Sequence, residues 1–155
     1  MTALVIYDSV FGNTEKVAQA MAEALQNGAR AVNVNQVPAL NLQDFDFILI
    51  GSPTRGFKPT EGITAFLKSV TPSELSSKKL AVFDTRIPLE TISNKFFRRI
   101  VKAGGYADAV MKKLIEKKGG QVIGSEGFLV LASEGPLADG ELERAAQWAR
   151  SLEIV

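Results

Sequence analysis

Residues 3–21 read ALVIYDSVFGNTEKVAQAM, and this stretch decides the fold. Residues 3–7 are apolar throughout, which is typical of a strand that is buried on both faces of a sheet. From residue 14 to residue 26 apolar side chains recur at helical spacing, and Asn27 with Gly28 supplies a C-terminal stop. The stretch therefore predicts a strand, a short loop and an amphipathic helix.

The loop between this strand and helix has the composition of a phosphate-binding loop. The first turn of a helix leaves backbone N–H groups without acceptors, and these point beyond the carboxyl end of the preceding strand. Ser9 and Thr14 add hydroxyl donors, Asn13 adds an amide, and Gly12 lets the backbone approach an anion closely. The loop contains no Lys or Arg, so we expect a phosphate held by neutral donors. The alternative is an Asn-Thr cap on an ordinary surface helix.

The rest of the chain alternates short β-branched runs with longer amphipathic stretches, which indicates βαβ units around a parallel sheet. Further strands are predicted at residues 30–34, 45–51 and 79–84, with an interrupted last strand at 121–123 and 127–131. Further helices are predicted at residues 61–70, 106–118 and 142–152, the last with Asp139 as its N-cap. We expect one domain over residues 1–155, with an inserted helical segment at about 87–104.

The amino-acid composition excludes several kinds of side-chain chemistry. The 155 residues carry a net charge of +1 and include no Cys and no His, so disulfides, thiolate nucleophiles and the commonest general base are excluded. No metal site and no catalytic side chain is predicted, and a bound cofactor would have to supply any redox chemistry. The small charge argues against nucleic-acid binding. No stretch is apolar enough to span a bilayer and no basic leader precedes the first strand, so a cytoplasmic location is expected.

The run VIYDSVFGNTEKVA at 5–18 resembles the FMN-phosphate signature of the flavodoxin family. The resemblance continues along the chain: GSPTRGF at 51–57 is similar to the first flavin loop, FDTR at 83–86 occupies the place of the second, and EGP at 134–136 is also family-like. It implies an α/β three-layer sandwich with a five-stranded parallel sheet in the order 2-1-3-4-5 and helices on both faces. FMN would lie at the carboxyl edge, where the strand order reverses.

The resemblance also implies a set of cofactor-binding residues. The phosphate would be held by Ser9, Phe11, Gly12, Asn13 and Thr14, with Val10 contributing its backbone only. One side of the isoalloxazine would face Pro53, Thr54, Arg55, Gly56 and Phe57, and the other side Asp84, Thr85 and Arg86. Many family members stack the ring on a Trp and a Tyr, whereas no aromatic residue stands next to Arg86 here. Tyr106 could serve instead, or it could simply pack at a helix start on the sheet edge.

Two arginines in the flavin loops predict the direction of a redox property. Positive charge near the ring stabilises a reduced anionic flavin, so Arg55 and Arg86 predict a less negative hydroquinone potential than acidic flavodoxins have. The alternative is that both point to solvent or pair with carboxylates such as Glu61 or Glu90.

The leading functional hypothesis is an FMN-binding electron-transfer protein that works with protein redox partners. An FMN-dependent NAD(P)H:quinone reductase and a flavodoxin-fold binding module without tight flavin binding are the alternatives. NAD(P)H oxidation by the protein alone would favour the former, and failure to bind FMN the latter. The basic run FFRRIVK at 96–102 could dock an acidic partner or an anionic membrane surface, or it could be a local helix with solvated cations. The oligomeric state stays open.

Overall fold

The structure is a computed structural model that describes residues 1–88, 95–96, 98–99 and 105–155. Most of the predicted inserted segment at 87–104 therefore lies outside the described residues. Within it, Lys95, Phe96, Arg98 and Arg99 are helical and exposed. In the described part of the chain, no helix combines the length and the apolar character needed to cross a membrane.

One parallel sheet forms the centre of the molecule. Its strands are β1 Ala3–Tyr7, β2 Arg30–Asn33, β3 Phe47–Pro53, β4 Lys79–Arg86 and β5 Val122–Leu129. They lie in the order β2-β1-β3-β4-β5, which confirms the predicted topology. Because β2 lies on one side of β1 and β3 on the other, the strand order reverses at the carboxyl ends of β1 and β3.

The helices are α1 Asn13–Ala24, α2 Glu61–Ser69, α3 Pro72–Leu75, α4 Ala107–Lys117 and α5 Glu141–Glu153. Two short 3-10 helices, Val34–Ala39 and Leu42–Asp44, follow β2. Neither they nor α3 was predicted, because elements of three to six residues are too short to show a hydrophobic period.

Alternate residues of the strands face two separate apolar cores. Leu4 and Ile6 of β1 contribute to the core that α2 and α4 cover, whereas Val5 contributes to the core that α1 and α5 cover. These three strand residues are fully buried. The sheet thus lies between two helical layers, as the uniformly apolar β1 predicts.

Three sequence-based predictions need correction. The last strand is continuous, with a bulge at Ile123 where the register against β4 shifts, so residues 124–126 do not interrupt it as predicted. The residue before α5 is Gly140, not Asp139, and its φ of 82° lies in the left-handed region. β4 extends to Arg86, where it pairs with Leu129 of β5, so the predicted second flavin loop at 83–86 lies entirely within a strand.

Candidate functional site

A cleft of about 340 Å³ opens at the carboxyl edge of the sheet, between the ends of β1, β3 and β4. Most of the residues expected at the cofactor site line it: Ser9, Val10, Phe11, Asn13, Thr14, Pro53, Thr54, Arg55, Gly56, Thr85 and Arg86. Gly12, Phe57, Asp84 and Tyr106 are not among its lining residues. Its volume lies in the range of small-molecule sites.

The loop between β1 and α1 presents backbone donors to the cleft. Gly12 has a φ of 92° and directly precedes α1. The Ser9 hydroxyl accepts the Gly12 N–H at 3.0 Å and so closes the loop on itself. The N–H groups of Phe11, Asn13 and Thr14 have no acceptor in the part of the protein that the structure describes. These donors suit an anion at the N-terminus of α1.

Two hydroxyl groups connect this loop to β4. Thr14 Oγ1 and Thr85 Oγ1 lie 2.8 Å apart, and both residues are buried. Two hydroxyls carry two hydrogens, and their mutual bond uses one. The other remains for a ligand in the cleft.

The predicted cofactor-binding set lacks a third group of lining residues, although the sequence analysis marked EGP at 134–136 as family-like. These residues are Ile87, Val130, Ser133 and Glu134. The Asn13 amide donates to the Glu134 carbonyl at 3.1 Å and ties this region to the phosphate loop. A Cβ on Gly135 would lie 2.7 Å from the Asn13 amide, so a larger residue would have to displace that side chain. The sequence does carry a signal for this group. In a parallel sheet the residues after β5 reach the same edge as those after β1, so the segment after the last strand can be expected at the cleft.

The predicted first flavin loop at 51–57 contains a tight turn just after β3. Arg55 and Lys58 exchange backbone hydrogen bonds of 2.8 and 3.0 Å, and the two residues between them, Gly56 and Phe57, have φ values of 54° and 68°. Positive φ at both central positions is the geometry of a type I′ turn. The exposed Arg55 guanidinium lies 5.4 Å from the centre of the Phe11 ring, which connects this turn to the phosphate loop.

A buried ion-pair cluster forms the opposite wall. Arg86 donates from Nε and Nη2 to the two carboxylate oxygens of Asp84, at 2.7 and 2.9 Å, and Arg86 Nη2 also lies 3.1 Å from Asp108 Oδ1. The Asp84 side chain is 0% exposed and accepts the Asp108 N–H at 3.0 Å. Arg86 therefore pairs with carboxylates, as one alternative held, and its described partners are Asp84 and Asp108. Glu90, which that alternative named, lies outside the described residues.

Burial controls the electrostatics of this cluster. It raises the pKa of Asp84 to about 7, because desolvation penalises the carboxylate more than the hydrogen bonds from Arg86 favour it. Where Asp84 is ionised, it and Asp108 together offset the positive charge of Arg86. Arg86 is therefore a cation paired with carboxylates, and its predicted effect on the hydroquinone potential stays a prediction.

Tyr106 immediately precedes α4 and lies against Arg86. Arg86 Cζ is 3.9 Å from the centre of the Tyr106 ring, and the Tyr106 hydroxyl donates to the Ile87 carbonyl at 3.4 Å. Arg86 lines the cleft and Tyr106 does not, so Tyr106 backs the guanidinium.

Comparisons with known proteins show the family and the fold of this chain. The family model "Flavodoxin domain" matches residues 4–123. A flavodoxin from Maridesulfovibrio salexigens is 32% identical over 129 residues, which cover 79% of this chain and 81% of that protein. The chain belongs to the flavodoxin family. Solved flavodoxin structures share its fold at lower sequence identity.

Oxidised flavodoxin 2 from Bacillus cereus has a TM-score of 0.70 and 21% identity, with 99% of each chain covered. A Fusobacterium nucleatum flavodoxin bound to flavin mononucleotide has a TM-score of 0.68 and 15% identity, with 99% of this chain and 97% of that chain covered. At these identities the likeness shows the fold, and the flavodoxin cleft described above rests on this chain's own residues.

Proposed function

We propose that this chain is an FMN-binding electron-transfer protein that works in the cytoplasm. The observation that carries the proposal is the position of the phosphate loop. Its N–H groups at Phe11, Asn13 and Thr14, without acceptors in the described chain, face a cleft at the strand-order reversal. The family assignment supports the same cofactor.

The residues of the cleft suit the two ends of FMN. The phosphate would take the N–H groups of the loop and the hydroxyl hydrogen left over from the Thr14–Thr85 pair. The ring would lie between the turn at 53–57 and the end of β4. Apolar surface from Pro53, Ile87 and Val130 would shield it from water.

Bound FMN would supply one- or two-electron chemistry, and the protein's part would be to hold and tune it. Backbone donors would fix the phosphate, and the walls would orient the ring. Because no side chain is needed for covalent catalysis, electron exchange would depend on how closely a partner approaches the cleft.

Absorbance and fluorescence test the cofactor directly. The purified protein should show a flavin spectrum, and protein stripped of cofactor should quench FMN fluorescence with one-to-one stoichiometry. Riboflavin, which lacks the phosphate, should bind much more weakly. Colourless protein that leaves FMN fluorescence unchanged would refute the proposal, and NAD(P)H oxidation without a partner would replace the carrier role with an enzymatic one.

We further propose that the basic segment near residues 95–99 docks acidic redox partners. Lys95, Arg98 and Arg99 are exposed, and the side chain of Phe96 is 67% exposed beside them. Cations around an exposed aromatic ring suit a partner surface with carboxylates around an apolar contact.

Charge reversal tests this docking surface. Arg98→Glu with Arg99→Glu should lower the rate of electron transfer with the native reductase about tenfold or more at low salt, and the difference should shrink at high salt. Lys113→Glu with Lys117→Glu is the matched control, because both lysines lie in the half of α4 that runs toward the amino edge of the sheet. Equal rates for both double variants at low salt would exclude the docking role.

A further inference from the structure

Residues 130–137, which directly follow β5, form a strap along one side of the cleft. Val130 pairs with Leu137 in an antiparallel bridge, and the Leu131 N–H donates to the Pro136 carbonyl at 2.9 Å. The strap therefore doubles back on itself, with a base at the sheet and a tip that projects from it.

The base of the strap is held by buried groups. Val130 is buried, and Leu137 packs against the core that α1 and α5 cover. The carboxylate of Glu141 on α5 is in a residue only 7% exposed, and it accepts the Leu129 N–H at 2.6 Å. The Leu129 carbonyl accepts the Ala138 N–H at 2.9 Å. These contacts fix the base to the end of β5.

The tip of the strap, residues 131–135, is held less firmly, and residues 131–134 are exposed. Among the described residues its one hydrogen bond to a group outside the strap comes from the Asn13 amide, which donates to the Glu134 carbonyl at 3.1 Å. A Cβ on Gly135 would lie 2.7 Å from the same amide, so the tip packs directly against Asn13. A hydrogen bond between exposed groups contributes little by itself, because water competes for both partners. The tip can therefore open while the base stays closed.

Asn13 lies between this tip and the phosphate loop. It is the first residue of α1 and lines the cleft beside the N–H groups that suit an anion. Its Nδ2 atom carries two hydrogens, and the Glu134 carbonyl takes one of them. A phosphate in the cleft can accept the other, which would fix the Asn13 side chain in the position that holds the tip. Because the side chain would then lose its freedom once for two bonds, a bound phosphate and a closed strap favour each other.

The strap also presents donors of its own to the cleft. Ser133 and Glu134 line the cleft, and their N–H groups have no acceptor in the part of the chain that the structure describes. The Ser133 hydroxyl is a further donor. The exposed Glu134 carboxylate would oppose an anion, so the attraction must come from the backbone and from Ser133.

We propose that the strap at 130–137 closes over the phosphate end of the ligand, and that the hydrogen bond between Asn13 and Glu134, the latch, couples phosphate binding to this closing. This inference rests on the proposed flavin site. The strap responds to a phosphate monoester, and a ligand with the same ring but no phosphate leaves the tip free to open. The closed strap slows the release of the phosphorylated ligand.

Hydrogen exchange of single amides, measured by NMR on the full-length protein, tests this coupling. The N–H groups of Leu131 and Gly135 donate within the strap at 2.9 and 3.0 Å, so their exchange reports opening of the tip. Saturating FMN should slow both about tenfold, in line with one further hydrogen bond to an anion. Saturating riboflavin should slow them less than about twofold, and inorganic phosphate added to that complex should restore the slowing. The Ala138 N–H at the base is the internal reference and should respond to neither ligand.

Two variants remove the latch from opposite sides. Gly135→Ala would place a Cβ against the Asn13 amide, at a backbone φ of 108° that alanine rarely adopts. Asn13→Ser keeps a hydroxyl at the phosphate loop but is too short to reach the Glu134 carbonyl. In both variants the tip should exchange at its ligand-free rate with FMN bound, and FMN should be released about fivefold faster. Riboflavin release should stay unchanged.

Two further variants are the controls. Gly140→Ala has a comparable backbone strain at a φ of 82°, and its Cβ would meet no atom within 4 Å. It should lower stability as Gly135→Ala does, yet keep the response of the strap to FMN. Glu134→Gln removes the carboxylate and keeps the carbonyl that accepts the latch, so the response should persist there as well.

The outcomes separate this inference from the proposed function. Wild-type protein that binds FMN while Leu131 and Gly135 exchange as fast as without ligand would overturn the strap and leave the flavin site intact. Equal slowing by FMN and by riboflavin without phosphate would assign the strap to the ring and overturn the coupling. FMN release from Gly135→Ala and Asn13→Ser at the rate of Gly140→Ala would overturn the latch. Failure of the wild type to bind FMN would overturn both the strap and the flavin site.

Discussion

The phosphate loop at residues 9–14 and the end of β4 at residues 84–86 face the same cleft, yet they present different chemical groups to it. The loop uses backbone N–H groups and hydroxyls, with Gly12 setting the backbone direction. The end of β4 uses a cation clamped by carboxylates, one of which is fully buried. The loop should therefore respond to changes in backbone geometry, whereas the β4 wall should respond to pH and to changes of charge or side-chain volume.

The largest effect we expect concerns pH and the β4 wall. The pKa of Asp84 is raised to about 7 by burial, so between pH 4 and pH 7 the folded protein keeps a proton that the unfolded chain has released. Rising pH then favours the unfolded chain. This group's contribution to the free energy of unfolding should be full below pH 4 and should fall by up to about 4 kcal/mol by pH 7.

Denaturant unfolding of the wild type and of Asp84→Asn, measured from pH 4 to pH 8, checks this. The asparagine does not titrate, so the wild type should lose stability relative to the variant as pH rises. Other titrating groups are common to both proteins and cancel in the difference. A constant difference across this range would mean that Asp84 is ionised throughout, as its pairing with Arg86 alone would favour.

A smaller effect is expected from the backbone of the phosphate loop. Gly12 and Gly140 have φ values of 92° and 82°, each immediately precedes a helix, and a Cβ at either would meet no atom within 4 Å. Alanine at either position should therefore cost about 1–2 kcal/mol of stability through backbone strain alone. Gly12→Ala should also weaken FMN binding by about tenfold, or 1.4 kcal/mol, because the backbone N–H groups of the loop would turn away from the phosphate.

Gly140→Ala is the control in that experiment, with FMN affinity measured by fluorescence and stability by denaturant unfolding. If both variants lose the same stability but only Gly12→Ala loses FMN affinity, the loop binds FMN through its backbone. If both variants kept full affinity, the N–H groups of the loop would not bind the phosphate.

The contrast between the two regions also explains what could be predicted from the sequence. The first strand and the phosphate loop follow from local signals, namely the apolar run at 3–7 and the glycine and hydroxyl residues directly after it, and the strand order follows from the resemblance that these motifs carry. Both depend on residues that are neighbours in the chain. The clamp on Arg86 joins β4 to Asp108 on α4 and to Gly127 on β5, and no local pattern connects residues so far apart.

The last strand is the clearest example. In the sequence it was predicted to be interrupted between residues 123 and 127, where Gly124 lies. In the structure the strand is continuous, Gly127 makes room for Arg86, and Gly124 makes room for Leu152 and Trp148. A glycine required by a distant side chain cannot be distinguished from a strand break until the partner is known.

The hydroxyl pair that joins the two regions is expected to contribute about 1 kcal/mol to the free energy of unfolding. Thr14→Val and Thr85→Val each remove one partner of the 2.8 Å bond between buried side chains, and each should lower stability by about 1 kcal/mol. The double variant should cost less than the sum, because the second substitution removes no remaining bond. Unfolding of all four proteins in a double-mutant cycle gives the coupling, and simple additivity would show that the hydroxyls do not depend on each other.

The smallest effect concerns Arg55, whose charge is solvent-exposed. Removing it with Arg55→Gln should make the hydroquinone potential more negative, because a nearby cation favours the reduced anion. An exposed charge contributes well under 1 kcal/mol, which corresponds to a shift of about 20 mV on a scale where a tenfold change is about 59 mV for one electron. Lys58→Gln, at the other end of the same turn, is the control for a general change of surface charge.

Ionic strength separates a direct effect of Arg55 from a structural one. A potential shift that is present at low salt and absent at high salt is what an exposed cation produces, since mobile ions screen it. A shift that persists at high salt would instead mean that Arg55 acts through its contact with Phe11, by holding the turn against the phosphate loop. No shift at either salt concentration would mean that the charge of Arg55 does not tune the hydroquinone potential.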